Sequence, residues 1–352
     1  MDHSLKTQTE IKAKWEELKR EQPSLRIRDS AEILGISEME LLLTERNSDK
    51  INIRLLDVNP AEILARLKDL GYVMALSRND SCVHERKGIY GDLKLNGQMG
   101  LILGEDIDLR IFLSHWKYSL AIEEKYNETE VKRSLQFFDT FGRAIHKIHL
   151  NAKSNLQSFL EIKEKYGMVL ENLDALEFKA YKENFNEHST ISVGIEFLQD
   201  WSELKDTHDF FGLLRKHKIS RLQSMVIAEG RFTKRLDTIS LQILLDECVL
   251  NSIPIMVFVY NPGIVQIHTG AIKNVKVLGS WLNILDSEFN LHLNQEKLAE
   301  IWWVSKPTND GEVQSVEVYD HNKQLVVQFF GKRKPGFLER EDWRAALRKI
   351  LC

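Results

Sequence analysis

The chain has 352 residues and a formal net charge of −4 at pH 7, with 43% hydrophobic and 28% charged residues. This length predicts two domains of typical size, and the balance of apolar and charged residues is that of a soluble globular protein. The small negative charge argues against a general nucleic-acid binder or a protein that coats anionic membranes.

In chain order, the sequence begins with a polar helix that favours a cytoplasmic protein. The segment MDHSLKTQTEIKAKWEELKREQ lacks the apolar core of a signal peptide. No later apolar run approaches the roughly 18 residues of a membrane span, so we expect no membrane-embedded segment. The three cysteines, Cys82, Cys248 and Cys352, are scattered without a metal-binding spacing, which favours reduced thiols.

The elements that follow form a pattern that occurs twice. Each half predicts short helices, a longer helix and then strands joined by short turns. The sequence WEELK (15–19) recurs as WSELK (201–205), and SLQFFDTFGRAIHKIHL (134–150) corresponds to SVEVYDHNKQLVVQFFG (315–331). Because helices precede antiparallel strands, we predict an α+β tandem duplication, with a large antiparallel sheet flanked by helices in each half and a pseudo-two-fold axis between the halves. The predicted boundaries are 1–151 for the first repeat, 152–199 for a connector and 200–352 for the second repeat.

The stretch Trp201–Gln223 is predicted to be an amphipathic helix that runs into a basic turn. His208 falls within the apolar stripe formed by Trp201, Leu204, Phe211 and Leu214. An imidazole on an apolar surface close to cationic side chains suits a flat, dianionic ligand that needs an axial base, such as haem. The alternative at this point is a structural histidine of the core. The first-half counterpart of this stretch has no histidine and has Glu38 at the position of Arg221, so the axial chemistry is expected in the second half.

Several motifs resemble a known family. In the second half they are LKDTHDFFGLLRKHKISRLQ, IMVFVYNPGIVQIHTG, GSWLNILDSEFNLHL and KPTNDGEVQSVEVYDHNKQ, and in the first half RNDSCVHERKGIYGDLKLNG and IDLRIFL. They are similar to the bacterial cytoplasmic haem-utilisation proteins of the HemS, ChuS, PhuS and HmuS type, and the likeness extends over nearly the whole chain. The resemblance implies haem b as both substrate and cofactor, bound in a cleft beside the second-half helix, with an external electron donor of unknown identity.

The resemblance also implies roles for individual residues. His208 would be the axial ligand of the haem iron, and Arg110, near the open face of the iron, would join it in catalysis. The implied haem contacts are Phe112, Phe258, Arg221, Lys306, Gln328 and Arg333, the last four mainly toward the propionates. His84 resembles a histidine that is proposed as a second haem ligand in some members. Phe330 stands where the family pattern often has a tyrosine, so the chain departs from the family at one haem contact.

The residues themselves leave several alternatives open. Either Asp206 or Asp209 could orient the His208 imidazole. Arg110 could donate hydrogen bonds at the iron, or it could be a strand arginine paired with Asp106 or Asp108. His217, in the basic run RKHK, is expected to be solvated, and His268 is expected to be structural or to line a rim.

Two functions follow from the resemblance. The first is a cytoplasmic haem-binding protein that opens the macrocycle of imported haem in a reductant-dependent, oxygenase-like reaction and releases iron. The alternative is a non-enzymatic chaperone that passes haem to a separate haem oxygenase. A third function, which does not depend on haem, is a duplicated scaffold that binds another ligand. Expected partners are haem, the cytoplasmic face of a haem ABC transporter, a reductase or a haem oxygenase, with no nucleic acid. The sequence has no GxGxxG motif, so we expect no tightly bound nicotinamide cofactor.

Overall fold

The computed structural model divides the chain into two units, each of which is described by itself. Unit 1 comprises Met1–Leu76, Lys87–Lys182 and Pro262–Ile264, and unit 2 comprises Ser77–Arg86, Glu183–Asn261 and Val265–Cys352. The structure describes residues 8–46, 48–169, 176, 178, 194–334 and 336–351. Within the predicted connector 152–199, residues 170–175, 177 and 179–193 lie outside the described residues, and the boundaries of the connector stay a prediction. In the described part of the chain, no helix is both long enough and apolar enough to cross a membrane.

The first half of the chain contains five helices and ten strands among its described residues. The helices are α1 (Gln8–Glu21), α2 (Ile27–Leu34), α3 (Glu38–Thr44), α4 (Pro60–Leu64) and α5 (Leu156–Tyr166). The strands are β1 (Ile51–Leu56), β2 (Gly71–Arg78), β3 (Cys82–Ile89), β4 (Leu93–Asn96), β5 (Met99–Ile102), β6 (Asp108–Phe112), β7 (Tyr118–Lys125), β8 (Val131–Phe138), β9 (Ala144–Ser154) and β10 (Gly167–Met168). In unit 1 the strand order is β10-β1-β7-β8-β9-β2, with a separate run β6-β5-β4. The neighbouring strands in both runs are antiparallel.

The second half repeats this plan. Its helices are α6 (Gly194–Ser202), α7 (Asp209–His217), α8 (Arg221–Ile227), α9 (Thr238–Leu250) and α10 (Glu341–Leu351). Its strands are β11 (Thr233–Leu236), β12 (Ile255–Asn261), β13 (Ile264–Gly270), β14 (Val275–Leu278), β15 (Trp281–Leu285), β16 (Phe289–Asn294), β17 (Leu298–Lys306), β18 (Val313–Asp320) and β19 (Leu325–Gly331). In unit 2 the orders are β11-β17-β18-β19-β12-β13 and β3-β16-β15-β14.

The order β1-β7-β8-β9-β2 in unit 1 is the order β11-β17-β18-β19-β12 in unit 2. The helices before these strands also correspond, because α3 and α8 begin with the same type of cap. Ser37 accepts a hydrogen bond from the backbone N–H of Glu40 at 3.2 Å, and Ser220 accepts one from Gln223 at 3.2 Å. In both helices the acidic or amide side chain bonds back to the serine N–H at 2.8 Å, which completes a capping box. The predicted α+β tandem duplication is confirmed.

The prediction for Trp201–Gln223 is wrong in detail, because this stretch is not one helix running into a turn. It contains the end of α6, all of α7 and the start of α8. Between α6 and α7, the N–H of Asp206 donates to Oδ2 of Asp209 at 3.1 Å, and the N–H of His208 donates to Oδ1 of Asp206 at 2.8 Å. Short acidic side chains that bond nearby N–H groups compete with the helix, so the apolar spacing across these aspartates does not produce a continuous helix.

The six-stranded run of unit 2 packs on both faces. One face lies against α9 and α10 and buries the core residues Leu244, Val316, Val327, Phe329 and Trp343. The other face packs on α7 and α8 through Phe210, Leu222, Trp302 and Tyr319. Successive side chains of a strand point to opposite faces, so Glu317 shares the α7 and α8 face with Tyr319. A carboxylate therefore lies beneath these two helices.

The two capping boxes allow a paired test of local stability. We expect Ser37→Ala and Ser220→Ala each to lower the free energy of unfolding by about 1 kcal/mol, because each leaves one helix N–H without its acceptor. Urea titrations of the two variants and wild type measure the difference. Ser37→Asn and Ser220→Asn keep a capping oxygen and should lose only a few tenths of a kcal/mol. Equal losses for Ala and Asn would show that the caps contribute little.

Candidate functional site

His208 lies at the start of α7 with its side chain open to solvent. The side chain is 94% exposed, so the prediction that it falls within an apolar stripe is wrong. Its Nδ1 lies 2.5 Å from Oδ1 of Asp206, which also accepts the His208 backbone N–H. Of the two candidate orienting carboxylates, Asp206 is therefore the one that contacts the ring. Because a carboxylate can only accept, Nδ1 carries the proton in the neutral ring, and Nε2 presents its lone pair outward.

The charge on Asp206 is supported by its neighbours. The backbone and side-chain hydrogen bonds from His208 lower the pKa of the Asp206 carboxyl, and the positive charge of Arg333 lowers it further. Arg333 is half-buried and lies after the last strand of the repeat. The predicted residues His208 and Arg333 are thus linked through Asp206, and Asp206 remains an anion that can hold the ring.

A second group of predicted residues converges on Glu317, which the sequence did not indicate. Nε of Arg221 donates to Oε2 of Glu317 at 2.7 Å, and Nη2 of Arg221 donates to Oε1 at 2.7 Å. Lys306 Nζ lies 2.9 Å from Oε1 of the same carboxylate, and Gln328 Nε2 donates to it at 2.6 Å. Arg221 is the first residue of α8, Lys306 the last of β17, and Gln328 lies in β19. One helix and three adjacent strands therefore place three of the four predicted polar contacts around one buried carboxylate.

Aromatic residues complete this group. Tyr319 donates its hydroxyl to Oε2 of Glu317 at 2.7 Å, and Tyr260 donates to Oε1 of Gln328. The ring of Phe210 faces both cations, with its centroid 5.1 Å from the Arg221 guanidinium carbon and 4.5 Å from the Lys306 ammonium. Cations over an aromatic face are stabilised by the ring quadrupole. The only sequence signal for Glu317 is its position in SVEVYD, where it alternates with core valines.

The buried charges of the Glu317 group shift the protonation of its members. Burial alone would raise the pKa of Glu317, but the positive charges of Arg221 and Lys306 overcome this and hold it well below its usual range. Burial lowers the pKa of Lys306 to about 8, with Glu317 opposing the shift and Arg221 adding to it. At neutral pH the group therefore contains two cations and one anion.

The predicted polar contacts differ in what they can offer a ligand. Lys306 and Gln328 are each 3% exposed and donate to Glu317, so a ligand would have to exchange these hydrogen bonds to reach them. The Arg221 side chain is 28% exposed. Phe258 and Phe330 are half-buried and pack edge to face, with their ring centroids 5.2 Å apart. Phe330, which stands where the family pattern often has a tyrosine, thus contacts the ring of Phe258.

Arg110 and Phe112 lie in β6 of unit 1. Arg110 forms an ion pair with Asp108, and the two side chains are 33% and 21% exposed. Of the two predicted partners, Asp108 is the one the structure shows. Phe112 is half-buried, and its backbone N–H donates to the carbonyl of Gly263 at 2.9 Å. The predicted roles of both residues toward haem stay predictions.

Three other histidines of unit 2, His84, His217 and His268, have buried side chains. His84 is 0% exposed, and its ring centroid lies 5.0 Å from that of Phe289. The His268 ring stacks on the ring of Phe289 with their centroids 3.8 Å apart, and burial lowers the pKa of His268 to about 3, so it is neutral. His217 was expected to be solvated, but its side chain is 6% exposed and its Nε2 lies 2.5 Å from Oδ2 of Asp200. That expectation is wrong, because the His217 ring is buried and contacts Asp200 of α6. The role of His84 as a second ligand stays a prediction.

The chain is similar to haem-related proteins along nearly its whole length. Residues 35–166 and 218–350 match the model of the haemin-degrading HemS.ChuX domain. The chain is 32% identical over 338 residues to the hemin transport protein HmuS of Yersinia pestis, with 95% of each chain covered. Holo-PhuS, a heme-binding protein from Pseudomonas aeruginosa, superposes with a TM-score of 0.89 and 39% identity over 98% of this chain and 99% of that one. The heme degrading enzyme ChuS of Escherichia coli O157:H7 gives 0.88 and 31% over 97% and 99%.

The Glu317 carboxylate predicts a dependence of stability on pH. Its pKa is lower in the folded state than the value of 4.5 expected when it is unfolded, so its contribution is present above that pH and is lost as the pH falls below it. We expect the free energy of unfolding of wild type to decrease between about pH 5 and pH 2 more steeply than that of Glu317→Gln. Urea titrations at several pH values measure the slopes.

The exposed residue Glu128 provides a control, and Glu128→Gln should keep the wild-type slope. An equal slope for wild type and Glu317→Gln would contradict the assignment of a charged, stabilising carboxylate to Glu317.

Proposed function

We propose that this chain, which belongs to the haemin-degrading HemS/ChuX family, binds haem through His208 and opens the macrocycle to release iron. The observation that carries the proposal is the geometry of His208. Asp206 fixes the protonated Nδ1, and the 94% exposed ring presents Nε2 to an incoming iron. Iron in haem takes a neutral imidazole as its proximal ligand, usually with the second ring nitrogen bonded to a carboxylate or carbonyl.

The residues of unit 2 also fit the acidic end of haem. Haem carries two propionates, and charge-assisted hydrogen bonds from Arg or Lys are their expected partners. The Arg221 side chain is partly exposed, and Arg333 is half-buried on the same unit. Phe258 and Phe330 provide ring surface for the macrocycle. An axial base, apolar surface and cations are thus all present in one repeat.

For the reaction, haem would supply the iron that activates dioxygen, and its ring is the substrate that is cut. The chain would contribute orientation and hydrogen bonding. From the family resemblance we assign Arg110 as the donor on the open side of the iron, where a guanidinium remains charged at any working pH. Its Asp108 partner would hold the guanidinium in place between turnovers. An electron donor would have to dock from outside, and we propose a reductase or small reductant in the cytoplasm.

A second candidate function is haem transfer without degradation. The relatives HmuS and PhuS carry names that refer to transport and binding, and ChuS carries one that refers to degradation. The high exposure of His208 favours transfer, because an open ligand can be reached by a delivering or accepting protein. In this case the partners would be a haem ABC transporter on the delivering side and a separate haem oxygenase on the accepting side.

The axial ligand is tested by titrating haemin into wild type and His208→Ala. Wild type should show the Soret band of a histidine complex, and His208→Ala should lose this spectrum with an affinity at least about tenfold weaker. Asp206→Asn should bind with intermediate affinity, because it weakens the orientation of the ring. His321→Ala replaces another exposed histidine of the same unit and should bind as wild type does. A wild-type spectrum in His208→Ala would sink the ligand assignment.

Degradation is tested with ascorbate in the presence of catalase, by following the Soret band and assaying tetrapyrrole product and free iron. We expect wild type to lose the band and release iron. Arg110→Ala should bind haemin normally but react about a hundredfold more slowly, since a hydrogen-bond donor at the reacting centre is removed. Arg133→Ala removes another paired strand arginine of unit 1 and should react at the wild-type rate. A stable band without product in wild type would favour the transfer function instead.

A further inference from the structure

The Glu317 carboxylate accepts five hydrogen bonds, from both cations and from two neutral side chains. Its Oε1 accepts from Arg221, Lys306 and Gln328, and its Oε2 accepts from Arg221 and Tyr319. A carboxylate has about four lone-pair sites, so these five contacts saturate it. The Glu317 side chain is 0% exposed. It therefore has no capacity to bind a ligand itself, and its effect must act through the groups that it holds.

The effect on Arg221 is directional. Glu317 occupies the side of the guanidinium formed by Nε and Nη2, at 2.7 Å for both bonds. Both bonds to Glu317 use the edge formed by Nε and Nη2, so this carboxylate leaves the edge formed by Nη1 and Nη2 to a ligand. A guanidinium has a rigid fork of five N–H donors and can bind one carboxylate on each of two edges. The Arg221 side chain is 28% exposed, whereas Glu317, which covers the first edge, is 0% exposed, so the second edge is the one that a ligand could approach.

The opposite arrangement occurs in unit 1. Glu38 stands at the position of Arg221, as the first residue of its capped helix, and pairs with Lys147 at 2.5 Å. The strand register places Gln136 beside Lys147, as it places Glu317 beside Gln328 in unit 2. Unit 1 thus has a buried ion pair but no guanidinium held by an acid at this position. At the position of Arg221, unit 1 therefore has an acid in place of a cation that could bind a carboxylate of a ligand.

We infer that Glu317 is a positioning residue that fixes Arg221 with its Nη1–Nη2 edge toward a propionate of haem, and so gives the site its preference for a carboxylate-bearing porphyrin. This inference rests on the proposed haem-binding function. The preformed orientation matters because an arginine side chain that is already ordered loses less rotamer freedom when the ligand arrives. Lys306 and Tyr319 support the arrangement by keeping Glu317 in place.

The test compares the affinity for haemin with that for haemin dimethyl ester, which has no charged carboxylate. Wild type should prefer haemin by roughly ten- to a hundredfold, the value of a charge-assisted hydrogen bond. Arg221→Ala should abolish most of this preference, and Glu317→Gln should do the same while binding the ester as wild type does. The double variant should show no further loss, because both substitutions remove one shared interaction.

Two further variants keep the result interpretable. Glu317→Gln combined with Lys306→Met removes a buried ion pair as a unit, which folded proteins tolerate better than a single unpaired charge, and it should also lose the preference. Glu123→Gln is the matched control: Glu123 bridges Arg133 and Lys163 in unit 1 and should leave the preference unchanged.

The outcomes separate this inference from the proposed function. An unchanged or larger preference for haemin in Glu317→Gln would overturn the positioning role, while a Soret band that depends on His208 would still stand. A wild-type preference that survives in Arg221→Ala would also overturn it. Failure of haem binding itself would appear earlier, as the absence of any His208-dependent spectrum in wild type.

Discussion

The second repeat depends on the buried ion pairs that the Glu317 carboxylate forms with Arg221 and Lys306. Taking a carboxylate and two cations out of water is unfavourable unless each is paired and hydrogen-bonded. Here the requirement is met only when α8, β17, β18 and β19 all lie in their observed positions, because each provides one member of the group. The charged group therefore specifies how α8 docks on the strands, in addition to what the apolar contacts of Phe210 and Leu222 provide.

Comparison of the repeats shows what duplication kept and what it changed. The capping boxes at Ser37 and Ser220 make α3 and α8 begin at corresponding residues of the two repeats. The residue after each serine differs in charge: it is Glu38 in the first repeat and Arg221 in the second. A change of charge at the first residue of the helix changes the charge of the group that this residue can bind. The helix itself begins with the same capping box in both repeats. The structure of the fold and the chemistry of the site are therefore specified by different residues.

The sequence predicted the fold well because its information is local and repeated. Alternating residues identify strands, and two copies of the same order reinforce one another, so the α+β duplication and the family resemblance are both confirmed. Glu317 could not be predicted in the same way, since a glutamate that alternates with valines in SVEVYD is the pattern of a solvated strand face. That face is buried here by helices that come about a hundred residues earlier. The loop at Asp206 was missed for the opposite reason, because side-chain bonds to N–H groups interrupt a spacing that is otherwise helical.

The two proposed contacts with haem share one design. Asp206 holds one nitrogen of His208 and leaves the other outward, and Glu317 holds one edge of Arg221 and leaves the other outward. In each case an acid fixes the direction of a group that we propose contacts haem. An imidazole or guanidinium without such an acid would sample several rotamers, and binding would have to order it. On this proposal the acids matter to the site as much as the groups that contact haem, and of the two acids only Asp206 could be recognised from the sequence, because it lies beside His208.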